Sequence, residues 1–287
     1  MIMVSACLAG IACNYKGRAT PDESVVQLVK QGLAYPVCPE ILGGLTTPRC
    51  RARFVNGDGN SVLAGIKGAV ITEDGADVTK PYLKGAELTL KLLRLLGTST
   101  AILKQDSPSC GNGRVLSGSD VITRVAGDGI TTALFKKEGI KVFSEEDLKD
   151  NTVIESLSLD SARSTKERVM ISMCGLGIPC QYRARSFSRK SFIAGLISEY
   201  ELCPVCPEQL GGLPTPRSAC HIKGNIVLGR DGRDYTASYH LGAAAVRSCA
   251  VMIGIKKAYL KRGSPSCGVN GITRKCLESI GVRVYQL

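Results

Sequence analysis

The stretch AYPVCPEILGGLTTPR, Ala34 to Arg49, is written again almost letter for letter as LCPVCPEQLGGLPTPR, Leu202 to Arg217. Two more blocks recur in the same order. SACLAGIACNYKGR (Ser5 to Arg18) returns as SMCGLGIPCQYRAR (Ser172 to Arg185), and AILKQDSPSCG (Ala101 to Gly111) returns as AYLKRGSPSCG (Ala258 to Gly268). One matched segment could be chance, but three in a fixed order record a duplication, so the chain folds as two versions of one unit. Weaker echoes lie between the blocks: Asp77-Val-Thr79 faces Asp234-Tyr-Thr236, and Gly85-Ala86 faces Gly242-Ala243.

The copies differ in length. Cys174 lies 167 residues after Cys7 and Cys206 lies 168 after Cys38, whereas Cys267 lies only 157 after Cys110. The second copy is shortened again after SPSCG, where it lacks a counterpart of NGRVLSGSDVITRVAG, which reads as the loss of a surface hairpin. The segment Ser144 to Arg168 is polar and mixed in charge, as suits a linker that starts as a short helix, and places the boundary near residue 160. The expected domains are 1–160 and 161–287, packed against each other as an intramolecular pseudo-dimer. With 287 residues and 44 % hydrophobic content, each is large enough to bury a core.

Local patterns place the motifs. Thr20, Pro21, Asp22 and Glu23 read as a helix start with Gly32 as its stop, and Gly85 to Gly97 carries leucines at helical spacing. Short apolar runs at 1–4, 34–37, 101–103 and 140–143 read as strands between helices. The fold class expected is α/β: two similar Rossmann-like three-layer domains, each with a parallel sheet covered on both faces. Cys7, Cys38 and Cys110 then fall just beyond strand ends, at the sheet edge where such folds bind ligands, and Cys174, Cys206 and Cys267 repeat the arrangement.

Thirteen cysteines in a chain without an export signal point to metal or sulfur chemistry rather than a disulfide framework. The apolar start MIMVSACLAGIAC is too short and interrupted to span a membrane, so the chain reads as soluble and cytoplasmic. Only two histidines exist, so a site here is soft and all-sulfur, suited to an iron-sulfur cluster or to zinc. Each half offers four thiols: Cys7, Cys13, Cys38 and Cys110, then Cys174, Cys180, Cys206 and Cys267. Cys13 sits six residues along the first loop, which makes it and Cys180 the expected spare thiols. The other five, Cys50, Cys203, Cys220, Cys249 and Cys276, read as small buried hydrophobes.

What flanks the cysteines suggests chemistry. Glu40 follows Cys38 by two residues, Lys104 and Ser107 lead into Cys110, and Glu208, Lys261 and Ser264 repeat the set. Read without chemistry, Glu40 pairs with Arg49, Glu208 with Arg217, and each serine caps a turn. The glycine pairs Gly43-Gly44 and Gly211-Gly212 offer backbone amides to an anion or a substrate edge. Lys104, Lys261, Arg49 and Arg217 could balance the charge of a cluster or substrate. A net charge of +12 favours an anionic partner, with RNA the obvious one.

The motif order S-x-C-x-x-G-x-x-C-x-Y, P-V-C-P-E-x-x-G-G-L-x-x-P-R and L-K-x-x-S-P-S-C-G resembles the DUF523 family, which includes the thiouracil desulfidases, over nearly the whole chain as two tandem copies. The resemblance implies a 4Fe-4S cluster in each half, held by three cysteines, with a fourth iron open to take sulfur from a thiolated uracil. It implies a free thiouracil base, a nucleoside or 4-thiouridine in tRNA as substrate, and Glu40, Ser107, Glu208 and Ser264 as catalytic residues. Softness suggests the rest: water replaces the sulfur without net electron transfer. Two readings compete: a closed four-cysteine cluster for electron transfer, and a zinc-stabilised RNA-binding module.

Overall fold

The structure, a computed structural model, describes residues 1–118, 121–161, 166–187 and 190–287, the side chains of 158–161 and 190 excepted. The chain divides into two compact units, Met1–Ser164 and Thr165–Leu287. The seam expected near residue 160 falls at the end of a helix, Asn151–Ser161, and residues 162–165 beyond it lie outside the described residues.

In the first unit the chain runs β1 (Ile2–Ser5), α1 (Glu23–Lys30), β2 (Ala34–Val37), α2 (Pro39–Leu42), β3 (Ala52–Val55), α3 (Gly59–Leu63), β4 (Ala69–Thr72), α4 (Thr79–Leu95), β5 (Thr100–Leu103), β6 (Arg114–Ser117), β7 (Thr123–Ala126), α5 (Ile130–Lys137) and β8 (Lys141–Ser144), then the linking helix α6 (Asn151–Ser161). The second unit runs β9 (Arg168–Ser172), α7 (Lys190–Glu199), β10 (Glu201–Val205), α8 (Pro207–Leu210), β11 (Cys220–Lys223), β12 (Ile226–Gly229), α9 (Thr236–Ile253), β13 (Lys257–Leu260), α10 (Ile272–Glu278) and β14 (Arg283–Gln286).

Each unit is built on one parallel four-stranded sheet, β2-β1-β5-β8 and β10-β9-β13-β14. Every residue of β1 is buried, which is why it reads as a continuous apolar run rather than an alternating one. In register, Ser5 lies opposite Val37 and Val4 opposite Ile102; Ser172 lies opposite Val205 and Tyr259 opposite Ile171. The two units are thus similar α/β domains.

A second sheet escaped the sequence. In the first unit it has the order β4-β3-β6-β7 and packs Phe54, Val70 and Val115 against Tyr82, Ala86 and Ile130. Its strands are short, and the exposed β7 carries no apolar run to announce it. β6 and β7 form the hairpin inferred from the insertion, and they pair antiparallel. The second unit keeps only the β11-β12 pair, over a smaller cluster of Leu213, Val227 and Tyr239.

Two helix starts also differ from expectation. Backbone bonds from Thr20 to the Cys7 carbonyl and from Asp22 to the Leu8 carbonyl hold this segment extended, so α1 begins only after Asp22, whose carboxylate caps the Val25 amide at 3.1 Å. α4 begins at Thr79, six residues before Gly85, because the Asp77 carboxylate takes the Thr79 amide and Thr79 Oγ1 takes the Val70 amide, both at 2.8 Å. The same bonds recur at Asp234, Thr236 and Val227.

The glycines of α2 and α4 meet. A Cβ on Gly43 would stand 2.1 Å from the Pro81 carbonyl oxygen, and one on Gly85 would stand 2.2 Å from that of Pro39. Gly211 and Gly242 meet the Ser238 and Pro207 carbonyls at 2.0 Å in the same way. Replacing an ordinary glycine inside a helix by alanine raises stability by roughly 1 kcal/mol, but overpacking costs about 1–3 kcal/mol. Gly85→Ala is therefore expected to lower the thermal midpoint of unfolding; a rise would show that α2 can move away from α4 without penalty.

Candidate active site

The sheet edge collects the thiols as the strand ends require. Cys7 follows β1 by two residues, Cys38 is the residue preceding α2, and Cys110 lies in the loop after β5. Cys13 is not remote, contrary to the expectation from spacing. The loop after β1 folds back through the Ile11 amide on the Ala6 carbonyl, and the Cys13 thiol meets those of both Cys38 and Cys7. Cys180 meets Cys174 and Cys206 likewise. The thiol that stands apart is Cys110, which bonds Ser5, as Cys267 bonds Ser172 at 3.7 Å.

The shared bonds split the thiols electrostatically. The hydrogen bond from Cys13, then the charge of Arg49, holds the Cys38 pKa below the usual thiol value against the opposing effect of burial. The same bond raises Cys13, and burial raises Cys110. Cys206, Cys180 and Cys267 follow suit.

Beside the thiols lies a buried carboxylate. Arg49 and Glu40 expose only 8 % and 13 % of their side chains, so their pairing is close to a core interaction. Arg49 Nε donates to Glu40 Oε2 at 2.8 Å and Nη2 lies 2.6 Å from the same oxygen. The guanidinium also donates to the carbonyls of Cys13 (3.2 Å) and Thr46 (3.1 Å). Burial works to lower the Arg49 pKa, but Glu40 and Cys38 more than reverse it. Tyr82 donates to Oε2 at 3.1 Å, which leaves Oε1 to Ser107, whose hydroxyl lies 3.3 Å away. Ser107 Oγ also accepts the Ser109 and Cys110 amides at 3.1 Å, so it caps its turn and faces the carboxylate at once.

The second unit repeats this. Arg217 Nε donates to Glu208 Oε2 at 2.8 Å and Nη2 to the Cys180 carbonyl at 2.9 Å, and Ser264 Oγ lies 2.9 Å from Glu208 Oε1. One partner changes: Cys220 occupies the place of Ala52, and Tyr239 bonds this thiol rather than the glutamate. Cavities open on both centres, about 230 Å³ over Glu40, Arg49, Lys104 and Ser107 and about 380 Å³ over the second set.

Other expectations are corrected or refined. The Gly43 and Gly44 amides are used by the Pro39 and Ile41 carbonyls, and those of Gly211 and Gly212 by Pro207 and Gln209, so none is free for an anion. Lys104 pairs with Glu145, whereas Lys261 donates to the Arg262 carbonyl and forms no carboxylate pair among the described residues. Cys203 and Cys249 are buried as expected, and burial pushes each up to about 12. Cys50 is exposed and bonds Asp74. Tyr82 and Tyr239 were missed, although Asp-x-Thr-x-x-Tyr occurs in both copies at identical spacing. Ser5 and Ser172 were missed as well; each accepts the amide of the following lysine block, Lys104 or Lys261, at 3.0 Å.

Against this geometry stands a family match that covers both halves. The model of the 2-thiouracil desulfurase family matches residues 2–147 and 169–282. The chain belongs to that family. It is 42 % identical over 150 residues to the uncharacterized protein YbbK of Bacillus subtilis (strain 168), spanning 52 % of this chain and 99 % of that one. A solved structure described as the 4Fe-4S-dependent thiouracil desulfidase TudS is 40 % identical, covers 54 % of this chain and 97 % of its own, and superposes with a TM-score of 0.47. No helix among the described residues is long and apolar enough to cross a membrane, and no three Cys, His, Asp or Glu side chains among them converge as ligands of a single metal ion.

Removing one member of a buried ion pair strands the other, at about 3–5 kcal/mol. Arg49→Met is expected to lower the free energy of unfolding in urea by that order and Glu40→Gln by less. Equal, small losses would show that the pair is solvated.

Proposed function

We propose that each unit is a desulfidase centre that exchanges the sulfur of a thiolated uracil for the oxygen of water, releasing sulfide without net electron transfer. The observation that carries this reading is the pairing, in both units, of a carboxylate oxygen with a serine hydroxyl beside a set of mutually contacting thiols; in the second unit Glu208, Ser264 and Cys174, Cys180, Cys206 and Cys267 all line one cavity, and in the first Glu40 and Ser107 line theirs. The donors fit an iron-sulfur cluster: in each unit the groups that contact one another are thiols, and the first cavity has no histidine in its lining, while His221 lines the second without being among the contacting thiols. Three of Cys7, Cys13, Cys38 and Cys110 would hold it, and three of Cys174, Cys180, Cys206 and Cys267 in the second unit. When bound, such a cluster supplies a soft Lewis-acid iron for the thiocarbonyl sulfur.

The protein residues account for the proton transfers. Because Arg49 and Tyr82 occupy Oε2, Glu40 keeps Oε1 to accept a proton from the water that attacks the ring carbon. Ser107, locked by two amides, has its hydroxyl proton directed at Oε1 and can relay a proton between carboxylate and ring. Glu208 and Ser264 repeat these roles. The water supplies the oxygen that stays on carbon and the protons that leave with sulfide, so atoms and charge balance.

The substrate class is a thiolated uracil as free base, nucleoside or tRNA position, in the cytoplasm. The test is an anaerobic assay of reconstituted protein on 2-thiouracil, 4-thiouracil and thiolated tRNA, following loss of thiocarbonyl absorbance together with sulfide. Glu40→Gln with Glu208→Gln is expected to keep the visible spectrum and lower turnover by roughly 10²–10⁴-fold. Full activity in that double variant would remove the carboxylates from the mechanism.

Loading is tested separately. Iron and acid-labile sulfide are expected near eight each per chain, about twice one cubane, and a value near four would leave one unit empty. Since the Cys13 thiol contacts two others, Cys13→Ser is expected to lose as much iron as Cys7→Ser. Retention of iron in Cys13→Ser would return the loop cysteine to the role of spare thiol.

A further inference from the structure

The surplus charge of the chain is confined to one unit. Residues 165–287 carry 18 Lys and Arg against 7 Asp and Glu, a surplus of 11, while residues 1–164 carry 19 against 18, a surplus of 1. Equivalent positions that line the two cavities, or lie close in sequence or contact to residues that do, show where part of this difference sits. The Glu73 amide bonds the Arg51 carbonyl and the Arg230 amide bonds the Ala219 carbonyl, so Arg230 stands where the first unit has Glu73. By the same register Arg233 replaces Ala76, Arg262 replaces Gln105, Gly263 replaces Asp106, and Leu287 replaces Glu145. In the other direction, Arg51 and Arg53 give way to Ala219 and His221. At these exchanged positions the first unit has three acids against two arginines and the second has three arginines, while Asp231 and Asp234 are kept in the second unit where the first has Asp74 and Asp77.

The acids of the first rim are also occupied in ways the second cannot copy. Asp106 binds Arg114 and Arg124, and Glu145 binds Lys104. Arg230, Arg233 and Arg262 are exposed and form no salt bridge among the described residues, and Arg230 lines the second cavity together with Lys261. An aromatic platform stands at the same mouth. Tyr182 is 37 % exposed, lines the cavity, and has the Arg183 guanidinium 5.4 Å from its ring centroid. An exposed ring backed by arginine beside a row of free cations suits a base stacked on the ring with its backbone phosphates on the arginines.

We propose that the rim of the second cavity, Tyr182 with Arg230, Arg233 and Arg262, is a docking surface for single-stranded RNA. The strand lies along the arginines and presents one base at the cavity mouth. That this base is a thiolated uridine destined for the second centre rests on the desulfidase reading; the attachment of the strand does not.

The test is fluorescence-anisotropy titration of the reconstituted full chain with a labelled, unthiolated oligouridylate of about twelve nucleotides, within the span of a single-strand site, across a range of salt concentrations. Binding is expected, weakening as salt rises. The triple variant Arg230→Glu, Arg233→Glu, Arg262→Glu is expected to bind at least tenfold more weakly, with a salt slope shallower by about 2, at roughly 0.7 per lost phosphate contact. Replacing the same three by lysine is expected to keep binding, which separates charge from misfolding. The proposal is overturned if wild-type protein shows no saturable binding at low salt, if the glutamate triple variant binds as tightly as wild type, or if uridine monophosphate displaces the strand as well as an equal concentration of oligonucleotide does. Failure of thiouracil turnover with intact binding would instead sink the desulfidase reading alone.

Discussion

A guanidinium holds each centre together. Arg49 joins Glu40 on α2 to the carbonyl of Cys13 in the loop after β1 and to that of Thr46, so one rigid cation fixes the distance between a carboxylate and a thiol loop that come from different parts of the chain. A lysine could not replace it, because a single ammonium lacks the planar fork that reaches carboxylate and carbonyls together. The clamp also has an electrostatic effect on its surroundings. Buried beside Glu40 and Cys38, its charge adds to the hydrogen bond from Cys13 in holding the Cys38 thiol below its usual range against burial. Arg217 likewise joins Glu208 to the Cys180 carbonyl and helps to lower Cys206.

Much of this was legible in the sequence because duplication acts as an internal control. A pairing of Glu40 with Arg49, or a serine leading into Cys110, is ambiguous once and much less so when Glu208, Arg217 and Ser264 repeat it. The parallel sheets were legible because strands buried on both faces are written as unbroken apolar runs. The second sheet was not, since β6 and β7 are half-exposed and their residues carry no strong periodicity. Cys13 was misplaced for a different reason. Its position depends on a loop closed by backbone bonds, such as Ile11 to Ala6, which leave no trace in residue type. The double glycines misled in the opposite direction: glycine marks close approach without saying of what, and here the neighbour is another helix rather than a ligand.

The two copies have kept their centres and changed what surrounds them. Within the site the clearest exchange is Ala52 for Cys220, which redirects Tyr239 to a thiol while Tyr82 stays on its glutamate. Outside it, loss of the β6-β7 hairpin and of α3 leaves the second unit with a two-stranded rather than a four-stranded outer sheet. Such changes alter what can approach the centre while leaving the groups inside it in place.

The contact between α2 and α4 explains how that separation is possible. A helix of four residues cannot hold its own shape in water, so the carboxylate of Glu40 takes its position from the 17-residue α4 through Gly43 and Gly85. Glycine against carbonyl is a joint made of main chain, and main chain is the one component common to every sequence. Substitutions at exposed positions of either helix leave this joint untouched, whereas a side chain at either glycine would meet a carbonyl oxygen 2.1 or 2.2 Å away. The surface of a copy is therefore free to drift far under mutation while the aim of its glutamate stays fixed.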